Sequence, residues 1–299
     1  MFAIDKFRNI WHYIDVKANK LYISDLDGTL LGNDARLSDY ALENLTSLIE
    51  SGLNFTIASA RSLTSIREII RGLPVRLPVI EINGALISDL QTGKHHTINT
   101  IHKNTVENIF THITDHGCMP FISSFDGNKD NLYYEKVVNE GMRWFLGDDT
   151  EDHVKRVRRI GNIAESFDEQ VVCITVIDRF EVMQKLSDKI KSEFPSQLEN
   201  HFFANPYNEQ WHWLTIHDKR ANKAIAVKQL ANELGYGLED VVVFGDNLND
   251  VQMMQLNRDG AHSVAVDNAT DEVKLFASEI VDSNENDGVV KYLLKGVRL

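Results

Sequence analysis

The feature that most constrains the fold is a repeated alternation of short apolar segments with amphipathic segments. After the first 20 residues, the segments YIS, LNFTIAS (53–59) and LPVIEIN (77–83) predict three strands, and a helix is predicted between each pair. The first of these helices has Ser38 as its N-cap and Gly52 just after its end, where serine and glycine are favoured. Strands that alternate with helices in this way predict a parallel α/β sheet.

The same alternation returns near the C-terminus. Residues 222–234 carry apolar side chains at helical spacing, and VVVF (241–244) is an unbroken apolar run. Such a run is typical of a strand that is buried on both faces of a parallel sheet. HSVAV (262–266) and EIVDS (279–283) predict two further strands, with a helix around residues 272–277 between them. The two ends of the chain therefore predict one Rossmann-like α/β core.

The middle of the chain lacks this alternation and mixes predicted helices with short predicted strands. The predicted helices are 104–116 and 181–193, and the predicted strands are 119–124, 132–137 and 170–177. A chain of 299 residues is longer than one hydrophobic core usually supports, so two domains are expected. We predict an N-terminal extension at 1–20, a core at 21–88 and 205–299, and an inserted α+β domain at 89–204.

The charge balance limits the possible partners. The chain has 31 Lys and Arg against 44 Asp and Glu, a formal net charge of -13. A negative field repels nucleic acids and anionic membrane surfaces, so neither is expected as a partner. The basic run KRVRR (155–159) is interpreted as a solvated helix face. An anionic substrate would have to be attracted by a local cation or metal ion.

Cysteine usage and the N-terminal residues favour a cytoplasmic protein. Cys118 and Cys173 are far apart and have no metal-ligand spacing, so we expect two buried thiols and neither a disulfide scaffold nor a zinc site. The N-terminal residues lack the features of a signal peptide, and no run reaches the ~18 apolar residues of a membrane helix.

Four polar clusters follow predicted strands or begin a predicted helix. They are Asp25-Leu26-Asp27-Gly28-Thr29, Ser59-Ala60-Arg61, Lys223, and Gly245-Asp246-Asn247-Leu248-Asn249-Asp250. Each alone is more often a turn, a helix cap or a solvated charge than a functional site. Because ligands of open α/β sheets bind at the carboxyl ends of the strands, the four clusters can converge. Their order and placement together favour an active site.

The acidic residues of these clusters predict a metal site. Asp25, Asp246 and Asp250 are carboxylates from two clusters at separate strand ends, and they would repel one another without a cation. Mg²⁺ prefers such oxygen ligands and shares its coordination with a substrate phosphate, so it is the predicted occupant.

The same clusters contain the groups that phosphoryl transfer needs. A carboxylate beside Mg²⁺ can attack phosphorus and form an aspartyl phosphate. A second acid, Asp27, can protonate the leaving alcohol and then activate the water that clears the intermediate. Ser59 and nearby backbone N–H groups can hold the phosphoryl oxygens, and Lys223 adds positive charge.

This arrangement resembles the haloacid dehalogenase (HAD) superfamily of phosphohydrolases, and within it the Cof-type members with a class IIB cap. The matching segments are DLDGTLL (25–31), IASAR (57–61), NGA (83–85), Lys223 in NKAIAV, GDNLND (245–250), and VDNATDEVK (266–274) followed by NENDGVV (284–290). The resemblance covers residues 21–88 and 205–299, and the middle segment matches by position and size as the inserted cap.

The resemblance implies a role for each matching residue. Asp25 would be the nucleophile and Asp27 the general acid/base. Mg²⁺ would be held by Asp25, the main-chain carbonyl of Asp27 and Asp246, with Asp250 as a ligand or a support. The implied phosphate contacts are Ser59, the Ala60 backbone, Lys223, Asn249 and Asn268. The chain departs from the family at Ser59-Ala60, where Thr-Gly is usual. Serine keeps the hydroxyl group of threonine, but alanine has less backbone freedom than glycine.

We therefore expect a Mg²⁺-dependent phosphatase that hydrolyses a small phosphorylated metabolite through phospho-Asp25, and the resemblance implies a sugar phosphate as that metabolite. The cap is expected to close over the site and to supply residues that contact the substrate. Two alternatives stay open. One is a phosphosugar mutase or phosphotransferase, and the other is a non-catalytic protein that binds a phosphometabolite. The sequence predicts neither the individual substrate nor the oligomeric state.

Overall fold

The computed structural model describes residues 20–147, 156–204 and 208–295. The predicted N-terminal extension, 1–20, therefore lies outside the described residues except for Lys20. The chain forms two compact units. The core comprises the described residues up to His96 together with those from Asn222, and the inserted unit comprises Thr97–Ala221.

Strands and helices are numbered in chain order over the described residues. The strands are β1 (Leu21–Ser24), β2 (Asn54–Ile57), β3 (Val79–Glu81), β4 (Leu86–Ser88), β5 (His95–Ile98), β6 (Pro120–Phe125), β7 (Asp130–Tyr134), β8 (Val157–Arg159), β9 (Gln170–Asp178), β10 (Leu198–Ala204), β11 (His212–Asp218), β12 (Val241–Gly245), β13 (His262–Val266) and β14 (Glu279–Val281). The helices are α1 (Asp39–Glu50), α2 (Leu63–Ile69), α3 (Lys103–Asp115), α4 (Glu140–Leu146), α5 (Phe180–Glu193), α6 (Lys223–Glu233), α7 (Val251–Met254), α8 (Asp271–Phe276) and α9 (Gly288–Lys295). Among the described helices, none combines the length and the apolar character needed to cross a bilayer.

The core is built on a parallel sheet with the strand order β14-β13-β12-β1-β2. Ser24, the last residue of β1, is paired with Phe244 of β12 on one side and with Ile57 of β2 on the other. The three central strands therefore end at the same level, and the residues that follow them lie at one edge of the sheet. The predicted parallel α/β core is confirmed.

The third predicted strand is present as β3, and it continues the core beyond β2. A parallel bridge joins Ala58 to Ile80, and the Thr56 hydroxyl donates to the carbonyl of Pro78 at 2.6 Å. A tight turn at Ile82–Gly84 then reverses the chain, and β4 pairs with β3 in the antiparallel direction. β5 completes a small sheet with the order β3-β4-β5.

The inserted unit is an α+β structure, as predicted. Its six strands have the order β10-β11-β9-β6-β7-β8, and all neighbours are antiparallel except β7 and β8. Helices α3 and α5 bury one face each in a shared apolar cluster with the sheet. The residues that the helices contribute include Val106, Ile109, Ile113, Met183, Leu186 and Ile190.

The inserted unit begins and ends later along the chain than residues 89 and 204, where the sequence analysis placed its boundaries. β11 lies between β10 and β9, with Phe202 opposite Leu214 and Thr215 opposite Thr175. Because its backbone hydrogen bonds are made within this sheet, residues 212–218 belong to the inserted unit and not to the core. Residues 89–96 belong to the core instead.

The interpretation of the basic run KRVRR as a helix face is wrong for residues 157–159. Val157–Arg159 form the edge strand β8, which pairs with β7. The Arg158 guanidinium donates from Nε to Asn131 Oδ1 at 2.8 Å. Alternating positions on an edge strand expose arginines as readily as a helix face does, so charge alone did not distinguish the two.

Both cysteines are buried free thiols, as predicted. Burial raises the pKa of Cys118 to about 12 and that of Cys173 to about 11. The thiols therefore stay protonated at neutral pH and act as small apolar groups in the inserted unit.

Candidate active site

The loop after β1 carries the first predicted cluster and packs against the loop after β12. The Asp25 amide donates to the carbonyl of Phe244 at 3.0 Å, so Asp25 still lies beside β12. Gly28 has φ +74°, and a Cβ at this position would lie 2.4 Å from Asp246 Oδ2. The Thr29 hydroxyl donates to Asp246 Oδ1 at 2.7 Å. Only glycine fits this close approach, and it lets the two loops share one site.

Lys223 lies in the first turn of α6, and its side chain is completely buried. Its Nζ donates to Asp25 Oδ1 at 2.8 Å and to Asp250 Oδ1 at 2.6 Å. The helix begins at this residue because the Asn222 side chain accepts a hydrogen bond from the Ala224 amide at 2.9 Å. The N-cap thus fixes the start of the helix that carries the ammonium group.

Asp250 holds the loop after β12 in place. Its Oδ2 accepts hydrogen bonds from the amides of Asp246 and Asn247, at 3.1 and 3.2 Å. Its other oxygen accepts from Lys223, so both carboxylate oxygens are engaged. Asp250 is completely buried.

Charge is unbalanced in this cluster. Oxygens of Asp25, Asp246 and Asp250 all lie within 4.8 Å of one another. Burial raises the pKa of Asp25 well above its ordinary value, and the nearby Asp250 adds to this shift while Lys223 opposes it. Burial and Asp250 raise the pKa of Asp246 to about 6. Burial alone would lower the pKa of Lys223, but its two carboxylate partners outweigh this effect and raise it.

These groups fit a Mg²⁺ ion. Asp25 Oδ2, Asp246 Oδ2 and the main-chain oxygen of Asp27 accept no hydrogen bond from the residues that the structure describes. They are hard oxygen donors, and one ammonium facing three carboxylates leaves negative charge that a divalent cation would balance. Both oxygens of Asp250 already accept hydrogen bonds, which favours the supporting role among the two that the sequence left open.

The Asp27 side chain forms an ion pair with Arg61 that was not predicted from the sequence. The Arg61 guanidinium donates from Nε to Asp27 Oδ2 and from Nη2 to Oδ1, each at 2.7 Å. The Asp27 side chain is 47% exposed, whereas Asp25 is buried. Two acids separated by one residue thus have different surroundings. Arg61 belonged to the second predicted cluster, but nothing in the sequence indicated its partner.

Ser59 and Ala60, of the second cluster, follow β2 and also lie at the edge of the sheet. Ser59 is completely buried, and its Oγ accepts a hydrogen bond from the Arg61 amide at 3.2 Å. Ala60 is exposed, and its φ lies outside the left-handed region. Alanine therefore replaces the usual glycine of the family without backbone strain.

The two asparagines predicted to contact phosphate have different surroundings. The Asn249 amide donates to Asn83 Oδ1 at 3.1 Å. The Asn268 side chain donates from Nδ2 to the carbonyl of Gly28 at 2.7 Å. Its Oδ1 accepts a hydrogen bond from the main-chain amide of Asn284 at 2.9 Å. Asn268 thus links the loop after β1 to a later segment, and its contact with phosphate stays a prediction.

A family model described as haloacid dehalogenase-like hydrolase matches residues 22–293. The chain belongs to this family. The 5-amino-6-(5-phospho-D-ribitylamino)uracil phosphatase YcsE of Bacillus subtilis is 28% identical over 273 residues, which cover 91% of this chain and 93% of the relative. The putative phosphatase MG265 of Mycoplasma genitalium is 29% identical over 289 residues, which cover 92% and 97%.

Solved structures share the fold of this protein over more than nine-tenths of its chain. TM0651 from Thermotoga maritima has a TM-score of 0.74 at 24% identity, and the match covers 92% of this chain and 97% of that one. The HAD subclass IIB sugar phosphatase BT4131 has a TM-score of 0.71 at 20% identity, covering 93% and 99%. The predicted family, the fold with its class IIB cap, and the enzyme class of phosphoric monoester hydrolase are confirmed.

Proposed function

We propose that this HAD-family protein is a Mg²⁺-dependent phosphatase that works through a phosphorylated Asp25. The observation that carries the proposal is the state of the Asp25 carboxylate. Lys223 binds Oδ1 and thereby orients the group, while Oδ2 accepts no hydrogen bond from any described residue. A carboxylate has two oxygens, so one can attack phosphorus while the other faces the metal site, and the fixed ammonium orients both.

Asp25 and Asp27 take part in both half-reactions. In the first, Asp25 attacks phosphorus, the bond from phosphorus to the ester oxygen breaks, and Asp27 gives its proton to the leaving alcohol. In the second, Asp27 takes a proton from water, the water oxygen attacks phosphorus, and the bond to Asp25 breaks to release phosphate. Because Arg61 engages both oxygens of Asp27, at least one of these bonds must open during proton transfer.

The remaining groups bind charge and orient the reactants. Asp25, Asp246 and the Asp27 carbonyl would hold Mg²⁺, which supplies positive charge at the transferring phosphoryl group when it is bound. Lys223 adds a fixed ammonium at the Asp25 carboxylate. Ser59 and the Ala60 amide would donate to phosphoryl oxygens, and Asn249 is the further predicted phosphate contact.

The relatives support a substrate class. YcsE is named for a phosphoribitylamino compound, and BT4131 is described as a sugar phosphatase. A phosphate ester on a polyhydroxylated carbon chain is common to both. We therefore propose a sugar phosphate or a phosphorylated sugar alcohol derivative as the substrate, which keeps the sugar phosphate of the sequence analysis within a broader class.

The test is release of inorganic phosphate from a panel of sugar phosphates and phosphorylated sugar alcohols, with MgCl₂ or with EDTA. We expect hydrolysis that EDTA removes and that Asp25→Asn abolishes. Asp259→Asn, which changes a half-exposed acid paired with Lys228, is the matched control and should behave as wild type. A protein that hydrolyses no ester of the panel, or an Asp25→Asn variant with substantial turnover, would contradict the proposal.

The alternative of phosphotransfer to a second sugar is separated by its products. A phosphotransferase would form a new phosphosugar with little free phosphate, because its phosphoenzyme would resist water. A non-catalytic binding protein would bind phosphate esters without consuming them. The complete set of acids, with Asp27 two residues after Asp25, favours hydrolysis over both.

A further inference from the structure

The turn between β3 and β4 has an unusual backbone. Ile82, Asn83 and Gly84 follow one another with φ values of +49°, +54° and +92°. Glycine tolerates such angles and asparagine is the side chain most often found there, but a β-branched residue such as isoleucine rarely adopts them. Strained backbone of this kind persists only where the surrounding structure holds it, and it is concentrated at functional sites.

The surrounding structure holds this turn through the second predicted cluster. The Ile82 amide donates to the carbonyl of Arg61, and the Asn83 amide donates to the carbonyl of Ser59, each at 3.0 Å. These two carbonyls flank Ala60. The strained turn and the loop that is predicted to bind phosphate are therefore fixed to each other by two main-chain hydrogen bonds.

The turn also packs against the start of α6. A Cβ placed on Gly84 would lie 2.8 Å from the carbonyl oxygen of Asn222 and 3.0 Å from Ala226 Cβ. Asn222 is the N-cap of the helix that carries Lys223. The turn thus contacts a second element of the site, and this close approach explains the glycine at its third position.

The Asn83 side chain reaches a third element. Asn83 is 4% exposed, and its Oδ1 accepts a hydrogen bond from Asn249 Nδ2 at 3.1 Å. Its own Nδ2 has no acceptor among the residues that the structure describes. The pair therefore keeps N–H groups for a ligand while one amide orients the other.

We propose that Asn83 is a positioning residue for phosphate binding, which orients the Asn249 amide from a backbone conformation that the neighbouring site loops hold. This inference rests on the proposed function. Glycine would adopt the same backbone angles without strain, so the asparagine is explained by its side chain. Asn83 acts through Asn249 and through the loop at Ser59, which places it between two of the predicted phosphate contacts.

The test separates the backbone from the side chain by replacing Asn83 with glycine. Asn83→Gly relieves the left-handed strain and removes the amide, so thermal stability should stay equal or rise while phosphate binding weakens. We expect KM for a hydrolysed ester and the inhibition constant of inorganic phosphate to rise about tenfold, the effect of one lost hydrogen bond, with kcat changed less than about threefold.

Ala35→Gly is the matched control, because Ala35 has φ +59° and offers no polar side chain. It should leave KM and phosphate inhibition unchanged. If Asn83→Gly does not melt cooperatively, Asn83→Ala replaces it, since Ala35 shows that this chain accommodates alanine at such an angle.

A double-mutant cycle tests the route through Asn249. Asn249→Ala should weaken phosphate binding, and adding Asn83→Gly to it should cause little further loss. Fully additive effects, or an Asn83→Gly variant with wild-type KM and wild-type phosphate inhibition, would overturn the inference. A fall in melting temperature without a change in KM would do the same, because it would show a structural role only.

Binding of inorganic phosphate, followed by calorimetry in the presence of Mg²⁺, separates this inference from the proposed function. A wild-type protein that binds phosphate but hydrolyses no ester contradicts the proposed function alone, and the loss of binding in Asn83→Gly would still support the inference. A wild-type protein that binds no phosphate overturns the inference as well.

Discussion

Lys223→Met removes the ammonium that lies between two buried carboxylates, and its effect on stability can be worked out from the structure. Lys223 donates to Asp25 at 2.8 Å and to Asp250 at 2.6 Å, and its side chain has no exposed area. Removing one partner of a buried ion pair destabilises a protein by about 3–5 kcal/mol, because the remaining charge has lost its partner. For a unit of this size, 1 kcal/mol corresponds to about 2–4 °C in Tm, so we expect a fall of about 6–20 °C.

Lys228→Met is the matched control, since it lies on the same helix and removes the same charge. Lys228 forms an ion pair with Asp259 at 2.6 Å, but both side chains are 48% exposed. An exposed pair contributes about 0–1 kcal/mol, so this variant should melt within a few degrees of wild type. Mg²⁺ should restore part of the stability of Lys223→Met, because a divalent cation at the same carboxylates replaces the missing charge.

The assay is thermal unfolding followed by circular dichroism, with and without MgCl₂, at pH 7. Equal melting temperatures for the Lys223→Met and Lys228→Met variants would refute the argument that the buried ammonium stabilises the acidic cluster. Phosphate release should also fall by at least about a hundredfold in Lys223→Met, as expected when a fixed charge at the transferring group is lost.

Three further predictions address other parts of the structure. Gly28→Ala should reduce Mg²⁺ activation strongly, because its Cβ would lie 2.4 Å from a carboxylate oxygen, whereas Gly127→Ala, with nothing within 4 Å, should not. Arg61→Gln should slow hydrolysis of alkyl phosphates more than that of aryl phosphates, because Asp27 would lose the bonds that position it to protonate the leaving group. Burial lowers the pKa of His217 from 6.5 to about 3 in the folded protein. Above pH 6.5 the imidazole is neutral in both the folded and the unfolded state, so protonation takes nothing from the free energy of unfolding there. Stability is lost at about 1.4 kcal/mol per pH unit as the pH falls towards 3, and urea unfolding of His217→Gln should lack that loss.

The sequence predicted the core well because its strands are short, apolar and buried on both faces. VVVF and YIS lie in the sheet as β12 and β1, and their carboxyl ends bring the acidic clusters together. The convergence of Asp25 with Asp246 and Asp250 follows from that placement. Here local pattern and tertiary structure agree, so reasoning from residues alone was sufficient.

Other features depend on contacts between distant residues and could not be predicted. The pairing of Arg61 with Asp27 joins two loops, and neither loop has a pattern that specifies the partner. The left-handed Ile82 contradicts the preference of its residue type and is imposed by the neighbouring carbonyls. The late boundary of the inserted unit follows from the pairing of β11, which local composition does not indicate.

The central claim is that Asp25 carries the phosphoryl group during turnover, and acid quenching followed by mass spectrometry of the digested protein tests it most directly. The reaction would be quenched within milliseconds of mixing a hydrolysed aryl phosphate with the wild-type enzyme and, in parallel, with Asp27→Asn. An aryl leaving group needs no proton from Asp27, so this variant still forms the phosphoenzyme while its clearance by water is slowed. We predict an acyl phosphate on the peptide that contains Asp25, at higher occupancy in Asp27→Asn. Product formation without a phosphorylated peptide, or with the phosphoryl group on another residue, would contradict the account.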